Sequence, residues 1–170
     1  MEEVYRYALV AGTVAKNHDF DVIHAHDWLT YSAGIIAKKI SGKPLIVHVH
    51  ATEYDRGGEF NRNTLVYDIE KRGMEAADRV ITVSNWTRNI VIEKYGIPAE
   101  KVITVHNAVD FKTDTEDREE RGIKDKIVTF LGRITLQKGP EYFVEAAAKV
   151  MKRLPNVRFV MANADRKSVV

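Results

Sequence analysis

The chain alternates between two hydrophobic patterns, one typical of amphipathic helices and one typical of short buried strands. Residues 2–17 carry apolar side chains at intervals of three and four, which predicts an amphipathic helix. Runs rich in valine and isoleucine predict strands at residues 21–26, 45–50, 79–83 and 101–105. Helical spacing predicts helices at residues 29–40, 64–77 and 85–95. The last is expected to begin with a Ser84 cap, to end at Gly96 and to bury Trp86, Ile90, Val91 and Tyr95. Strands this short between helices predict an α/β fold, with a parallel sheet and helices on both faces.

A second, smaller piece follows a change in composition. The stretch 114–121 is almost wholly charged, which predicts a solvated linker at 111–126. Beyond it, one β-α-β unit is predicted, with elements at 127–131, 140–154 and 157–161. Its helix is expected to turn Phe143, Ala146, Ala147, Val150 and Leu154 inward. Its open sheet edge predicts pairing with another element or self-association. The predicted division is one domain at 1–110 and the start of a second at 127–170.

Composition removes several classes of protein. The 170 residues carry a formal net charge of +2, so no basic field indicates nucleic acid or an anionic membrane. Cysteine is absent, which excludes disulfides and thiolate metal sites. The longest apolar runs reach about six residues, whereas a membrane span needs ~20. Acidic residues at the N-terminus are unlike a signal peptide. We therefore expect a cytoplasmic protein without a membrane span.

Polar residues follow every predicted strand. In an open parallel sheet the ligand binds beyond the carboxyl ends of the strands, so these residues mark one binding edge. The segments concerned are His26-Asp27-Trp28, His50-Ala51-Thr52-Glu53-Tyr54, Ser84-Asn85, His106-Asn107 and Gly132-Arg133. The opposite loops hold ordinary turn residues.

Two His-x-His pairs stand out among these residues. Within each pair the two histidines face one side of the strand, which is a spacing that metal sites also use. His24 and His48 lie inside their strands and are expected to be hydrogen-bonded structural histidines. His26 and His50 lie at strand ends, where they can reach a ligand. A metal-dependent hydrolase is the alternative, but it needs further ligands at later strand ends. The fifth strand end carries Gly132-Arg133 instead, which repels a divalent cation, so no metal is expected.

The segment from Gly132 to Gly139 leads from a strand into a helix. Its glycines allow a close backbone approach to a ligand, and the helix N-terminus favours an anion. Arg133 supplies a planar fork of donors and Lys138 a point charge. The order of residues is neither that of a P-loop nor that of a Gly-x-Gly-x-x-Gly fingerprint. We predict a diphosphate site here, with a basic surface turn as the alternative.

In combination, these motifs resemble those of the retaining GT-B glycosyltransferases of family 4, the group around the sucrose synthase-type and glycogen synthase-like enzymes. The segment 50–54 looks most like archaeal glycogen synthase-type members. The resemblance covers nearly the whole chain to Met161 and rests on residues 21–28, 50–54, 77–84, 105–110, 131–133 and 137–139. It implies two Rossmann-like domains that face each other across a cleft, and transfer of a sugar from a nucleoside-diphosphate sugar with retained configuration.

The resemblance also implies roles for individual residues. His50 matches the active-site histidine that contacts the donor sugar, while Arg133 and Lys138 match the cations that neutralise the diphosphate. The donor-binding residues implied are Gly132, Arg133, Lys138 and Gly139, and those of the acceptor cleft are His26, Asp27, Trp28, Glu53, Tyr54 and Asn107. No cofactor or metal is implied. The partners expected are a UDP- or ADP-linked sugar and a glycan or small-molecule acceptor.

The chain departs from the family pattern at both ends. The family's glycine-rich loop would precede residue 1, and the glycines expected after the last strand are absent from 162–170. The resemblance therefore predicts a central fragment, incomplete at both ends, that does not transfer sugar at a normal rate. A non-catalytic module that binds a sugar nucleotide is the remaining alternative.

Overall fold

A computed structural model describes residues 1–109 and 124–163 of the chain. The chain falls into two compact units, Met1–Val109 and Asp110–Val170. Residues 111–123 of the predicted linker lie outside the described residues, as do residues 164–170. Within the described ranges, no helix combines the length and the apolar character needed to cross a bilayer.

The first unit is a four-stranded parallel sheet with helices. Its strands are β1 (Ile23–His26), β2 (Leu45–Val49), β3 (Arg79–Thr82) and β4 (Val102–Thr104), and they lie side by side in chain order. Its helices are α1 (Glu2–Asn17), α2 (Trp28–Ser41), α3 (Glu53–Gly57), α4 (Thr64–Ala76) and α5 (Asn85–Tyr95). A 3-10 turn at Ala99–Lys101 leads into β4. The predicted α/β architecture with parallel strands is confirmed.

Local signals set the helix boundaries. The Ser84 hydroxyl accepts a hydrogen bond from the backbone N–H of Thr87, which caps α5 as its sequence predicts. Gly96 ends the same helix with a φ of 71°, a conformation that glycine adopts without a steric cost. α3 was not predicted. It begins with a capping box in which Thr52 and Asp55 exchange hydrogen bonds, a signal that is readable as Thr-x-x-Asp.

The core lies on one face of this sheet. The strands contribute residues such as Val47 and Val80, and the helices contribute Tyr31 from α2, Met74 from α4 and Tyr95 from α5. All of these side chains are at most 2% exposed. Because side chains alternate along a strand, the neighbouring positions of β1 and β2 point to the opposite face, where they are half-buried or exposed.

The predicted burial of Trp86 is wrong, since this side chain is 72% exposed. The buried face of α5 consists of Thr87, Val91 and Tyr95, which follow one another at intervals of four residues. Trp86 stands one position away, about 100° around the helix, and so turns out of the core.

The second unit contains β5 (Lys126–Leu131) and β6 (Val157–Ala162), which pair in parallel, and α6 (Pro140–Met151). Phe143 of α6 packs against Phe130 and Phe159 of the two strands. The helix is shorter than predicted, and the predicted inward positions Ala146 and Leu154 are both exposed. Two strands offer too little surface to cover a wider face of the helix.

Candidate active site

The two His-x-His pairs form one cluster on the open face of the first sheet. The parallel register places His26 of β1 beside His48 of β2, so the pairs become neighbours across the strands. The rings of His24 and His48 stack with centroids 5.4 Å apart, and those of His48 and His50 lie 4.3 Å apart. The sequence predicts each pair, and the strand order joins them into a four-imidazole cluster of His24, His26, His48 and His50.

His26 and His50 are hydrogen-bonded to each other. The Nδ1 of His26 lies 2.9 Å from the Nε2 of His50, and both side chains are exposed. One ring must donate the proton and the other must accept it, so the tautomers of the two rings are linked. This contact fixes the orientation of His50 at the carboxyl end of the sheet, where ligands of such folds bind.

Asp27 connects the ends of β1 and β2. Its carboxylate Oδ1 accepts hydrogen bonds from the backbone N–H of His50 at 2.8 Å and of Ala51 at 3.4 Å. Asp27 also has a φ of 57° and a ψ of 168°, a region that is almost restricted to glycine and costs about 1–3 kcal/mol. Asp27 therefore fixes the backbone at the carboxyl end of β2, and its contact with a ligand stays a prediction.

His24 and His48 are not ordinary hydrogen-bonded interior histidines, and that expectation is wrong. His24 is exposed. Both ring nitrogens of His48 are buried, yet neither has a hydrogen-bond partner among the described residues. Burial, together with the neighbouring imidazole of His50, lowers the pKa of His48 to about 4. Burial also lowers the pKa of His24, with a contribution from His26. The helices of the core pack on the other face of the sheet, so none of the residues that the structure describes on those helices hydrogen-bonds to these rings.

Glu53 lies in the interior and not at the edge of the site. Its side chain is 8% exposed, and it accepts hydrogen bonds from the Arg56 side chain and from the backbone N–H of Asn63, each at 3.0 Å. The buried Glu70 of α4 completes this arrangement through Arg56 and the backbone N–H of Glu53. Glu53 therefore stabilises the segment that follows His50, and no local sequence pattern indicates its partner Glu70 on α4.

The remaining predicted cleft residues occupy varied environments. Tyr54 packs edge-on against Tyr95, and the guanidinium of Arg62 lies 4.4 Å from its ring centroid. Trp28 is half-buried against the core at the start of α2. Asn107 is exposed after β4. His26, Asp27 and His50 thus form one close group. Contacts of any of the predicted residues with a ligand stay a prediction.

The predicted diphosphate residues belong to the second unit. Arg133 and Lys138 are exposed and flank the turn between β5 and α6. Gly132 continues the strand through a backbone hydrogen bond to Ala162. Gly139 has a φ of 60° at the start of α6, and a Cβ at this position would lie 2.8 Å from the Tyr142 ring. Two cations beside a helix N-terminus are the donor set that an anion needs.

Comparison with known proteins identifies the family. The model of Glycosyltransferase Family 4 matches residues 3–113. The chain belongs to this family. The resemblance predicted from the motifs is thereby confirmed, and a glycosyltransferase is favoured over the alternative metal-dependent hydrolase.

Curated relatives of this family 4 chain are considerably longer than it is. An uncharacterized glycosyltransferase of Methanocaldococcus jannaschii is 32% identical over 158 residues, which is 85% of this chain and 40% of the relative. The α-maltose-1-phosphate synthase of Mycolicibacterium smegmatis is also 32% identical, over 82% of this chain and 39% of the relative. The chain therefore spans about two fifths of the relatives that it matches.

Solved structures share the fold of this family 4 chain. Anabaena HepE, crystallised in complex with UDP-glucose, matches 93% of this chain and 52% of its own with a TM-score of 0.55 and 19% identity. The lipopolysaccharide outer core galactosyltransferase WaaB matches 95% of this chain and 42% of its own with a TM-score of 0.60 and 16% identity. These likenesses confirm the predicted GT-B type of α/β fold.

Proposed function

We propose that this chain carries donor- and acceptor-binding residues of a retaining, glycogen synthase-like glycosyltransferase. The reaction breaks the bond between the anomeric carbon of a UDP- or ADP-linked sugar and the diphosphate. The nucleoside diphosphate leaves with the bonding electron pair, and a hydroxyl oxygen of a glycan or small-molecule acceptor bonds to that carbon with the same configuration. The hydroxyl proton passes to the released diphosphate. Family membership and the α-linked product in the name of the M. smegmatis relative support the proposal.

The arrangement of His26, Asp27 and His50 is the observation that carries the proposal. His50 lies at the carboxyl end of β2, its ring is held by His26, and its backbone N–H is held by the Asp27 carboxylate. An imidazole positioned in this way can hydrogen-bond to hydroxyl groups of a donor sugar near the reacting carbon. Orientation by two neighbours reduces the entropy that the ring loses when substrate binds.

The second unit supplies the charge that a diphosphate leaving group requires. Arg133, Lys138 and the N-terminus of α6 together offer two full positive charges and a partial one. Preorganised charge at the site where negative charge develops contributes on the order of 100-fold in rate for each donor. In this proposal the two cations perform the role that a magnesium ion has in other transferases.

Calorimetry with UDP, UDP-glucose, ADP-glucose and GDP-mannose tests the proposal on the 170-residue protein. We expect saturable binding only of the ligands that share a single one of the three bases, uracil, adenine or guanine. Arg133→Ala and Lys138→Ala should each weaken the binding of the free nucleoside diphosphate by about tenfold or more, the value of one charge-assisted hydrogen bond. The matched control is Arg153→Ala, which removes an exposed cation just beyond the C-terminal end of α6.

His50→Ala separates a catalytic site from a simple nucleotide-binding module. We expect it to weaken the binding of the nucleotide sugar while leaving the affinity for the free nucleoside diphosphate unchanged. Absence of binding of all four ligands at millimolar concentration would overturn the proposal. An equal loss of affinity in Arg133→Ala and Arg153→Ala would do the same.

A further inference from the structure

We propose that His24, His26 and His48 form a binding site for a divalent transition-metal ion such as Zn²⁺. The site lies on the open face of the first sheet and shares His26 with the proposed active site, although the proposed reaction itself uses no metal. Each imidazole offers one nitrogen, and the three nitrogens lie within 4.8 Å of one another. Three imidazoles with one position left for water form a ligand set that zinc proteins use.

The backbone brings the three ligands together without a long loop. His24 and His26 are two residues apart on β1 and share a face, and His48 is the register partner of His26 on β2. The ring centroids of His24 and His26 are 4.3 Å apart, and those of His26 and His48 are 5.0 Å apart. A hydrogen-bonded pair of strands at the edge of a four-stranded sheet is a rigid base for a site.

The distance that the ligands must close is small. Zinc–nitrogen bonds of about 2.0–2.1 Å in a tetrahedron place two ligand nitrogens roughly 3.4 Å apart. Reaching that separation from 4.8 Å requires a movement of the order of 1 Å by the rings. His24 and His26 are exposed, so their side chains can rotate to this extent without displacing core residues.

An unsatisfied polar group points to this face as a place where a ligand can bind. Both ring nitrogens of His48 are buried, and neither has a partner among residues 1–109 and 124–163. A buried polar atom without a hydrogen bond costs about 1–3 kcal/mol. Coordination of one nitrogen to a metal ion removes that cost, whereas exposed histidines elsewhere in the chain have no such deficit to relieve.

His50 is the hydrogen-bond partner of His26, one of the three proposed metal ligands. Metal-bound histidines commonly hydrogen-bond through the ring nitrogen that does not bind the metal, and this bond orients the ring. His26 already uses Nδ1 in its contact with His50, so Nε2 is the nitrogen that it offers to the ion. The set contains nitrogen and no carboxylate, which favours Zn²⁺, Ni²⁺ and Cu²⁺ over Mg²⁺ and Ca²⁺.

Calorimetric titration of the metal-free 170-residue protein with ZnCl₂ tests the site, with MgCl₂ as the comparison ion. We expect one Zn²⁺ per chain and no heat of binding from Mg²⁺. His24→Gln and His48→Gln should each weaken Zn²⁺ binding by at least tenfold. The matched controls are His18→Gln and His106→Gln, which remove the two histidines outside the cluster and should leave the affinity unchanged.

Electron paramagnetic resonance of the Cu²⁺-loaded protein gives a second readout. The spectrum should show coupling to imidazole nitrogens in the wild-type protein and to fewer of them in His24→Gln, a substitution of an exposed residue that leaves the core intact. Circular dichroism verifies that each variant is folded. Zn²⁺ binding that is weakened equally by His24→Gln and His106→Gln would overturn the proposal, as would the absence of Zn²⁺ binding by the wild-type protein.

Discussion

Glu70→Gln is expected to destabilise the first unit and the segment that follows His50. Glu70 is 2% exposed on α4, and its carboxylate accepts three hydrogen bonds. The donors are the hydroxyl of Tyr95 at 2.5 Å, the backbone N–H of Glu53 at 3.0 Å, and the guanidinium of Arg56. Glutamine keeps the shape of the side chain but removes the charge and places an amide N–H₂ against groups that also donate.

The expected loss follows from these contacts. Removing one partner of a buried ion pair costs about 3–5 kcal/mol, because the other charge stays uncompensated. Arg56 keeps its hydrogen bond to Glu53, and its side chain is 29% exposed, so we expect the lower end of this range, about 3 kcal/mol in the free energy of unfolding. Burial raises the pKa of Glu70, whereas the hydrogen bond from Tyr95 and the charge of Arg56 act in the opposite direction and favour the ionised form.

Urea unfolding at pH 7, followed by tryptophan fluorescence, measures this loss. Both tryptophans of the chain, Trp28 and Trp86, belong to the first unit, so the signal follows that unit. The matched control is Glu75→Gln on the same helix, because Glu75 is exposed. Tyr95→Phe should lower the free energy of unfolding by about 2 kcal/mol, the value of a hydrogen bond to a charged group.

A double-mutant cycle tests whether Tyr95 and Glu70 stabilise the fold through their shared hydrogen bond. The losses in Glu70→Gln and Tyr95→Phe should fail to add by at least about 1 kcal/mol in the double variant, because both remove the same hydrogen bond. If Glu70→Gln unfolds within about 0.5 kcal/mol of the wild-type protein, the usual range of surface substitutions, the reasoning is refuted. Strict additivity of the two losses leads to the same conclusion.

Two further predictions concern the carboxylates at the ends of the strands. Asp27→Gly should be more stable than Asp27→Ala by about 1 kcal/mol in urea unfolding, because both lose the bonds to His50 and Ala51 but only alanine keeps the strain of a positive φ; equal stabilities would contradict this. The hydrogen bond from Lys38, and then that from the backbone N–H of Leu45, lowers the pKa of Asp78 below its ordinary value of 3.8. The unfolded chain therefore binds this proton at a higher pH than the folded chain, so the stabilisation is present above about pH 4 and is lost as the pH falls further. Asp78→Asn should flatten the decline in melting temperature below pH 4, and an unchanged slope would contradict the assignment.

Local sequence patterns were sufficient for most of the secondary structure. The apolar spacing of residues 2–17 predicts α1, and the Ser84 cap and Gly96 predict the ends of α5. These signals act between residues that are close along the chain, so each can be read without knowledge of the fold. The same holds for the polar strand ends, because the carboxyl edge of a parallel sheet is defined by chain direction alone.

Which residues meet across the fold was decided by the tertiary structure. Each His-x-His pair is visible in the sequence, but the four-imidazole cluster exists because β1 and β2 are neighbours with His26 beside His48. Its position at a strand end predicts Glu53 as a cleft residue, whereas contacts with Glu70 and Arg56 hold it in the protein interior. Strand order and helix packing bring together residues that are distant in the chain, and no local pattern encodes those distances.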